Sequence, residues 1–174
     1  LLIHRPDALM DADEVAEAFT QLQAAGKVLS FGVSNFTPRQ FELLHSRFPL
    51  TTNQIEANIL HLDPFLDGTL DQLQQHRLTP QASSPLGGGA LFGGEQTEQL
   101  VRIREVSSSL GEKYGLALDQ LLLAWLLRHP SGIRPVLGTT KIERMQRAVK
   151  AANVEISRED WYTLWSASTG SRVP

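Results

Sequence analysis

The chain has 174 residues, of which 41% are apolar, and a formal net charge of -3. This length and composition are enough for one sizeable hydrophobic core, and interspersed acidic and basic residues without a basic stripe argue against nucleic acid as a partner. No window approaches about 18 uninterrupted apolar residues, so we expect no membrane partner, and the absence of cysteine excludes disulfides and thiolate metal sites.

The chain begins with a short apolar run that predicts a buried strand over 1–4, with His4 where the strand emerges into a loop. Because a natural chain rarely begins inside a buried strand, we expect this one to be the later part of a larger protein. The stretch from Asp11 to Glu14 resembles a capping box that opens a helix, and Gly26 is the expected stop. A second strand is predicted over 28–33.

The middle of the chain repeats this alternation of helix and strand. Thr37, Pro38 and Gln40 supply an N-cap, a proline at the first helical position and the N3 partner of a capping box. Together they predict a helix that lasts until Pro49. The patterns that follow predict a strand over 52–57, a helix over 68–77 and a weaker strand over 78–83.

The last part of the chain begins with a glycine-rich loop at 87–94. The three tryptophans that follow, Trp125, Trp161 and Trp165, fall on apolar helix faces and are predicted to pack in the core. The remaining elements are predicted in this order: helices over about 96–114 and 118–129, a strand over 134–137, a helix opened by a capping box at Thr140–Glu143 and reaching about Ala152, and a final helix from Ser157.

Alternation of strands and helices predicts an α/β fold with a parallel sheet. Both a doubly wound sheet and a barrel fit this order. Strand ends recur about every 25–30 residues, the size of a βαβ unit, and no glycine-rich dinucleotide fingerprint follows a strand, which favours the barrel. An eight-stranded (β/α)8 TIM barrel needs about 250 residues, so five units here leave three to be supplied upstream.

Polar residues collect where the predicted strands end. In a barrel these ends meet at one rim, which is where such folds place their sites. Amides and hydroxyls suit the binding of a polar ligand, and no nucleophile–base pair or metal-binding histidine pair is present. The residues are His4, Ser34, Asn35, Gln54, Glu56, Ser83, Ser84, Gly138, Thr139 and Thr140.

Two of these stretches suit a phosphate group. Residues 84–89 place small residues after a strand, where free backbone N–H groups can approach an anion. Residues 138–140 lead into a helix N-terminus, with Lys141 and Arg144 adding positive charge. Taken singly, each feature has a simpler reading: His4 as a structural histidine, Ser34–Asn35 as a turn, Thr140 as an N-cap and the glycines as a flexible loop.

Five motifs in this order resemble those of the aldo-keto reductases. They are Leu-Ile-His-Arg-Pro at 2–6, Gly-Val-Ser-Asn-Phe at 32–36, Asn-Gln-Ile-Glu at 53–56, Ser-Pro-Leu-Gly at 84–87, and Gly-Thr-Thr-Lys-Ile-Glu-Arg at 138–144. The Trp-Leu-Leu-Arg-His-Pro segment at 125–130 is also similar to that family. The resemblance runs almost the whole length of the chain.

The resemblance implies that residues 1–174 are the C-terminal part of one (β/α)8 barrel, roughly strands 4–8, that binds NADP(H) in extended form. It implies a cytoplasmic oxidoreductase that reduces aldehyde or ketone carbonyls of small substrates, with His4 orienting the carbonyl. Its other implied contacts are as follows: Ser34, Asn35 and Gln54 with the nicotinamide carboxamide; Ser84, Pro85, Leu86 and Gly87 with the pyrophosphate; and Gly138, Thr139, Thr140, Lys141 and Arg144 around the 2′-phosphate.

Two departures from the family pattern bear on function. Ser83, which we also assign to the cofactor site, stands where the family usually carries an aromatic ring stacked on the nicotinamide. The family's catalytic Asp, Tyr and Lys belong to β/α units that this chain does not contain, so the chain alone is not expected to catalyse. Two alternatives stay open: an inactive nucleotide-sensing or partner-binding relative, and a non-redox phosphate-binding barrel. The oligomeric state is not predicted.

Overall fold

The computed structural model describes residues 1–94 and 96–173. Its five strands form one parallel sheet in chain order, in which each strand pairs with the next. The predicted α/β class and parallel sheet are therefore confirmed. In the described chain, β1 and β5 each have a partner on one side only. The strands are β1 (Leu2–Ile3), β2 (Gly32–Ser34), β3 (Asn53–Glu56), β4 (Gln81–Ser83) and β5 (Arg134–Pro135).

Seven α-helices of the described chain occupy the places that the sequence pattern predicts. A 3₁₀ segment at Asp63–Phe65 was not predicted. Residues 87–92 contain short 3₁₀ turns interrupted by the left-handed Gly88 (φ 62°) and Gly89 (φ 90°), within the predicted glycine-rich loop. The helices are α1 (Ala12–Ala24), α2 (Pro38–His45), α3 (Thr69–Gln75), α4 (Glu98–Tyr114), α5 (Leu118–Leu127), α6 (Ile142–Ala151) and α7 (Arg158–Thr169).

All five strands are shorter than predicted, and the reason is clearest for β2 and β5. Strand β2 was expected from residue 28, but Gly26 (φ 67°) and a bond from Lys27 N to Leu22 O close the end of α1. The chain then returns to the sheet with Leu29 exposed and begins to pair only at Gly32. At the other edge, β5 ends at Pro135, although Val136 N still donates to Ala82 O at 2.8 Å.

The helix starts follow local capping chemistry in one case and depart from it in another. Thr37 and Gln40 form the predicted capping box of α2. The capping box predicted at Thr140 is wrong, because Lys141 occupies the N-cap of α6 and makes no side-chain capping bond. The Thr139 hydroxyl accepts a hydrogen bond from Lys141 N at 3.2 Å, so the local turn forms one residue earlier and the helix begins beyond Thr140.

A glycine in β2 allows three strands to approach closely. A Cβ atom at Gly32 would lie 2.7 Å from the Leu2 side chain and 2.7 Å from the carbonyl oxygen of Thr52. Any larger residue would force β1 or β3 away, since a backbone oxygen cannot rotate aside. Gly32 therefore keeps the first three strand ends in register.

The core is divided between the two halves of the sheet. Aromatic rings of Phe19 and Phe31 stack at 4.0 Å in the first half. In the second half, Trp125 is fully buried and stacks on Trp161 at 4.9 Å, and each indole N–H donates to the other residue's carbonyl. The prediction that these tryptophans serve packing is confirmed.

A buried carboxylate joins α4 to α7. Asp160 Oδ2 accepts hydrogen bonds from Lys113 Nζ at 2.6 Å, Tyr114 OH at 2.5 Å and Ser157 Oγ at 2.9 Å. The Lys113 ammonium and the Tyr114 hydroxyl hold the pKa of the Asp160 carboxyl below its ordinary value. The ionised form of Asp160 therefore stabilises the packing of α7 on α4.

Asp160→Asn is expected to lower the free energy of unfolding near neutral pH by about 1–3 kcal/mol, through weaker bonds to a group that has lost its charge. Because the pKa of Asp160 is lower in the folded state, this stabilisation is present above the unfolded pKa of about 3.9 and is lost as pH falls through the folded pKa. The free energy of unfolding, measured with urea between about pH 3 and 7, should fall less steeply toward acid pH in the variant than in the parent protein. Glu112→Gln, an exposed change on α4, should match the parent protein.

Candidate functional site

The carboxyl ends of the parallel strands all lie at the same end of the sheet. The pairs Ile3 with Val33, Ser34 with Gln54, and Glu56 with Ser83 set the register of the first four strands. Strand β5 continues it, since Ala82 pairs with Pro135. We call this end of the sheet the rim; it is formed by residues 4, 34–35, 54–56, 83–87 and 136–144.

The rim brings the predicted residues together in chain order. His4 is exposed and follows β1 directly, beside the register position of Ser34. The segment 138–144 follows β5, at the opposite edge of the sheet. With three strands between them and about 4.8 Å per strand spacing, the two ends of the rim lie about 19 Å apart along the sheet. A single ligand that touches both ends must therefore be elongated.

Ser34 and Asn35 are fixed by hydrogen bonds to β3. The Ser34 hydroxyl, in a residue that is 5% exposed, donates to Gln54 O at 2.9 Å. Asn35 has a left-handed backbone (φ 55°); its N–H donates to Gln54 O at 2.8 Å, and its side-chain oxygen accepts from Glu56 N at 3.3 Å. The Gln54 side-chain amide, by contrast, makes no hydrogen bond within the described residues and is available to a ligand.

A tight glycine turn follows Ser83 at the end of β4. Ser84 is left-handed (φ 47°), and Gly87, Gly88 and Gly89 all have positive φ. The N–H groups of Gly87 and Gly89 donate within the turn, to Ser84 O at 2.8 Å and Leu86 O at 3.1 Å. These two N–H groups close the turn on itself, so they are not among the free N–H groups that the sequence predicts for residues 84–89.

The remaining two residues of this loop face inward. Pro85 is buried, and Leu86 is half-buried against the core. Gly87 has φ 60°, which favours glycine, and a Cβ atom there would lie 2.9 Å from Leu60 Cδ1, so the Leu60 side chain would have to shift. Pro85 and Leu86 therefore anchor the loop on its inner side, and Ser84 and Gly88 are its exposed residues.

The basic end of the rim is formed by the start of α6. Thr140, Lys141 and Arg144 are exposed, and Thr139 and Gly138 precede them in an open loop. No side chain caps the first N–H groups of α6, and a helix N-terminus carries partial positive charge. Two cations and an uncapped helix N-terminus together favour binding of an anionic group.

Two residues that sequence reasoning gave no role lie beneath this rim. Asn53 and Asn58 are 0% and 1% exposed, and both donate hydrogen bonds to backbone oxygens at the rim. Polar side chains in such an apolar setting are the only sequence signal that could have indicated them. Their partners are distant in the chain, so the sequence could not identify them.

Other features of the described residues lie away from the rim. Three cavities among helices α4, α5 and α7 contain no rim residue in their linings. Within 1–94 and 96–173, no three histidine, aspartate or glutamate side chains are grouped so as to hold a metal ion. In the same ranges, no helix has the length and apolar character needed to cross a membrane.

A sequence model described as "Aldo/keto reductase family" matches residues 1–168. The chain therefore belongs to the aldo-keto reductase family. A solved structure of a thermostable aldo-keto reductase, Tm1743 in complex with the inhibitor epalrestat, superposes with a TM-score of 0.84 at 27% identity. That match covers 95% of this chain and 58% of the solved chain.

Two curated relatives are more similar in sequence. Oxidoreductase YdhF of Escherichia coli K12 is 49% identical over 100% of this chain, and a 6-dehydroglucose reductase of Agrobacterium fabrum is 44% identical over 99% of it. The chain spans 58% of the length of each.

Proposed function

We propose that the protein containing this chain is an NADP(H)-dependent oxidoreductase that reduces an aldehyde or ketone to an alcohol. The observation that carries the proposal is the order of groups along the rim. In order along the sheet, His4 follows β1, the free Gln54 amide lies on β3, the glycine turn follows β4, and Lys141 and Arg144 follow β5. An extended dinucleotide phosphate has an amide, a pyrophosphate and a terminal phosphate in the same order.

The groups at the ends of β1, β2 and β3 fit a nicotinamide and a carbonyl. Bound there, the cofactor supplies hydride to the carbonyl carbon. The Gln54 amide is free to bind the ring carboxamide, and Ser34 and Asn35, which are fixed by hydrogen bonds, lie beside it. His4 is exposed next to Ser34. It donates a hydrogen bond to the substrate oxygen, which orients the carbonyl.

Ser83 changes how the nicotinamide is held. It is half-buried at the end of β4, across from Glu56, and offers a hydroxyl in place of a stacking ring. Without a stacking ring, only hydrogen bonds from Gln54 and its neighbours orient the nicotinamide. The name of the Agrobacterium relative makes 6-dehydroglucose the first substrate to test.

We also propose that residues 1–174 supply strands 4–8 of a single (β/α)8 barrel. Edges β1 and β5 lack a second partner in the described sheet. Helix α6 carries an apolar stripe, Ile142, Met145 and Val149, that is 40–66% exposed. Preceding β/α units would pair with both edges, cover this stripe and supply the proton donor that the rim lacks. We refer to the chain joined to those units as the complete protein.

Expressed alone, the 174-residue chain is expected to self-associate or aggregate, because unpaired edges and the α6 stripe stay open to water. Light scattering combined with thermal unfolding tests this. Val149→Lys should reduce self-association of the chain alone and lower the melting temperature of the complete protein. A cooperative transition from a species of monomer mass would contradict barrel completion.

His4→Ala in the complete protein is expected to lower turnover by at least tenfold while NADPH affinity changes little, since orienting the carbonyl acts mainly on the transition state. Steady-state kinetics with 6-dehydroglucose and NADPH titration measure the two effects. His76→Ala serves as the control, because His76 lies after α3 and pairs with Glu42 away from the rim. Unchanged turnover for the His4 variant would refute its role.

Arg144→Gln is expected to weaken NADPH binding by about 1–3 kcal/mol and to spare NADH, which has no 2′-phosphate. Arg147→Gln is the matched control. Arg147 lies about one turn later on α6, where its guanidinium forms a salt bridge with Asp119 at 2.5 Å. Titration of both variants with both cofactors gives the result. Equal losses for NADPH and NADH at Arg144 would exclude a 2′-phosphate contact.

A further inference from the structure

Strained backbone is concentrated at the proposed cofactor site. Among the described residues, three non-glycine residues have left-handed backbones: Asn35 (φ 55°), Arg77 (φ 57°) and Ser84 (φ 47°). Two of the three, Asn35 and Ser84, lie on the rim. Such conformations cost energy for residues with a Cβ, less for Asn than for Ser, and surrounding contacts stabilise them.

Asn53 enforces the first of these conformations. Its side chain, 0% exposed, donates to Phe36 O at 2.8 Å and accepts from Phe36 N at 3.4 Å. Both backbone groups of the residue after Asn35 are therefore bound by one rigid amide. With Asn35 N bonded to Gln54 O on the other side, the turn is fixed at both ends.

Asn58 enforces the second conformation from just beyond β3. Its side chain, 1% exposed, donates to Ser84 O at 3.0 Å and accepts from Leu60 N at 2.8 Å. The Leu60 side chain in turn lies against Gly87, where a Cβ would come within 2.9 Å of Leu60 Cδ1. One buried amide therefore binds both the first residue of the glycine turn and the backbone of the residue that packs against Gly87.

We propose that Asn53 and Asn58 are positioning residues that hold Asn35 and Ser84 in the conformation that receives the cofactor. Asn53 begins β3, the middle strand, and Asn58 lies two residues beyond its end, so the turn after β2 and the turn after β4 are held from the same strand. Neither asparagine touches the cofactor; each acts through a strained neighbour. This inference rests on the proposed NADPH site.

If Asn53 and Asn58 only stabilised the fold, replacing them would lower the melting temperature without weakening NADPH binding. Thr52, directly before β3, offers a matched control for that case. Thr52, 6% exposed, donates from its hydroxyl to Thr79 O at 2.8 Å, at the opposite end of the strand from the rim. Thr52→Val removes a buried side-chain-to-backbone hydrogen bond with little change of shape. It should lower the melting temperature, as Asn58→Ala should, but leave NADPH affinity within twofold of the parent protein.

The test is a double-mutant cycle on the complete protein, read as the Kd for NADPH by fluorescence of the added cofactor. Asn58→Ala is expected to raise the Kd at least tenfold. In a Ser84→Gly background the same change should cost less than threefold, because glycine adopts the left-handed backbone without enforcement. Asn53→Ser with and without Asn35→Gly applies the same test to the other turn, and replaces the first cycle if Asn58→Ala does not fold.

The outcomes separate the two proposals. If the parent protein does not bind NADPH, the proposed function is wrong. If the parent binds NADPH and Asn58→Ala binds it within twofold, or the loss is equal in the Ser84→Gly background, the positioning inference is overturned while the cofactor site stands. A tenfold loss in Asn58→Ala, recovery with glycine and no loss in Thr52→Val establish the positioning role.

Discussion

The close approach of β1, β2 and β3 at Gly32 is the constraint on which the site depends. With no Cβ between them, the Leu2 side chain and the Thr52 carbonyl reach the β2 backbone. The register that follows sets Ser34 beside Gln54 and allows Asn53 to reach the turn after β2. Moving β3 outward by even part of an ångström would lengthen these hydrogen bonds together, because all of them start from one rigid strand.

Among the α-helices of the described chain, only α6 contributes residues to the rim. In the second half of the molecule, the paired indoles of Trp125 and Trp161 fix α5 against α7, and Asp160 fixes α7 against α4. These contacts combine apolar packing with satisfied polar groups, so the layer is rigid behind β4 and β5. Helix α6 differs: its residues are largely exposed, and its uncapped N-terminus faces solvent beside the last strand.

Local chemistry made much of this structure predictable, and non-local contacts account for what was missed. The sequence of Thr37, Pro38 and Gln40 is sufficient to start α2, since each group acts within one turn. At residues 139–140 either of two adjacent threonines could accept a hydrogen bond at the start of α6; Thr139 does so, from Lys141 N, and the sequence does not decide between them. Asn53 and Asn58 act on residues 17 and 26 positions away, so their roles became visible only in the folded sheet.

The order of strands in the sheet also bears on how the chain folds during synthesis. Within the described sheet each strand pairs with the next one made, so in the proposed barrel only the closing pair of first and last strands waits for a distant segment. Successive units can therefore join the growing sheet as they leave the ribosome. The cost is that the most recently added strand is always an open template until its successor arrives, and chaperone capture or strand addition between nascent chains would act on that edge.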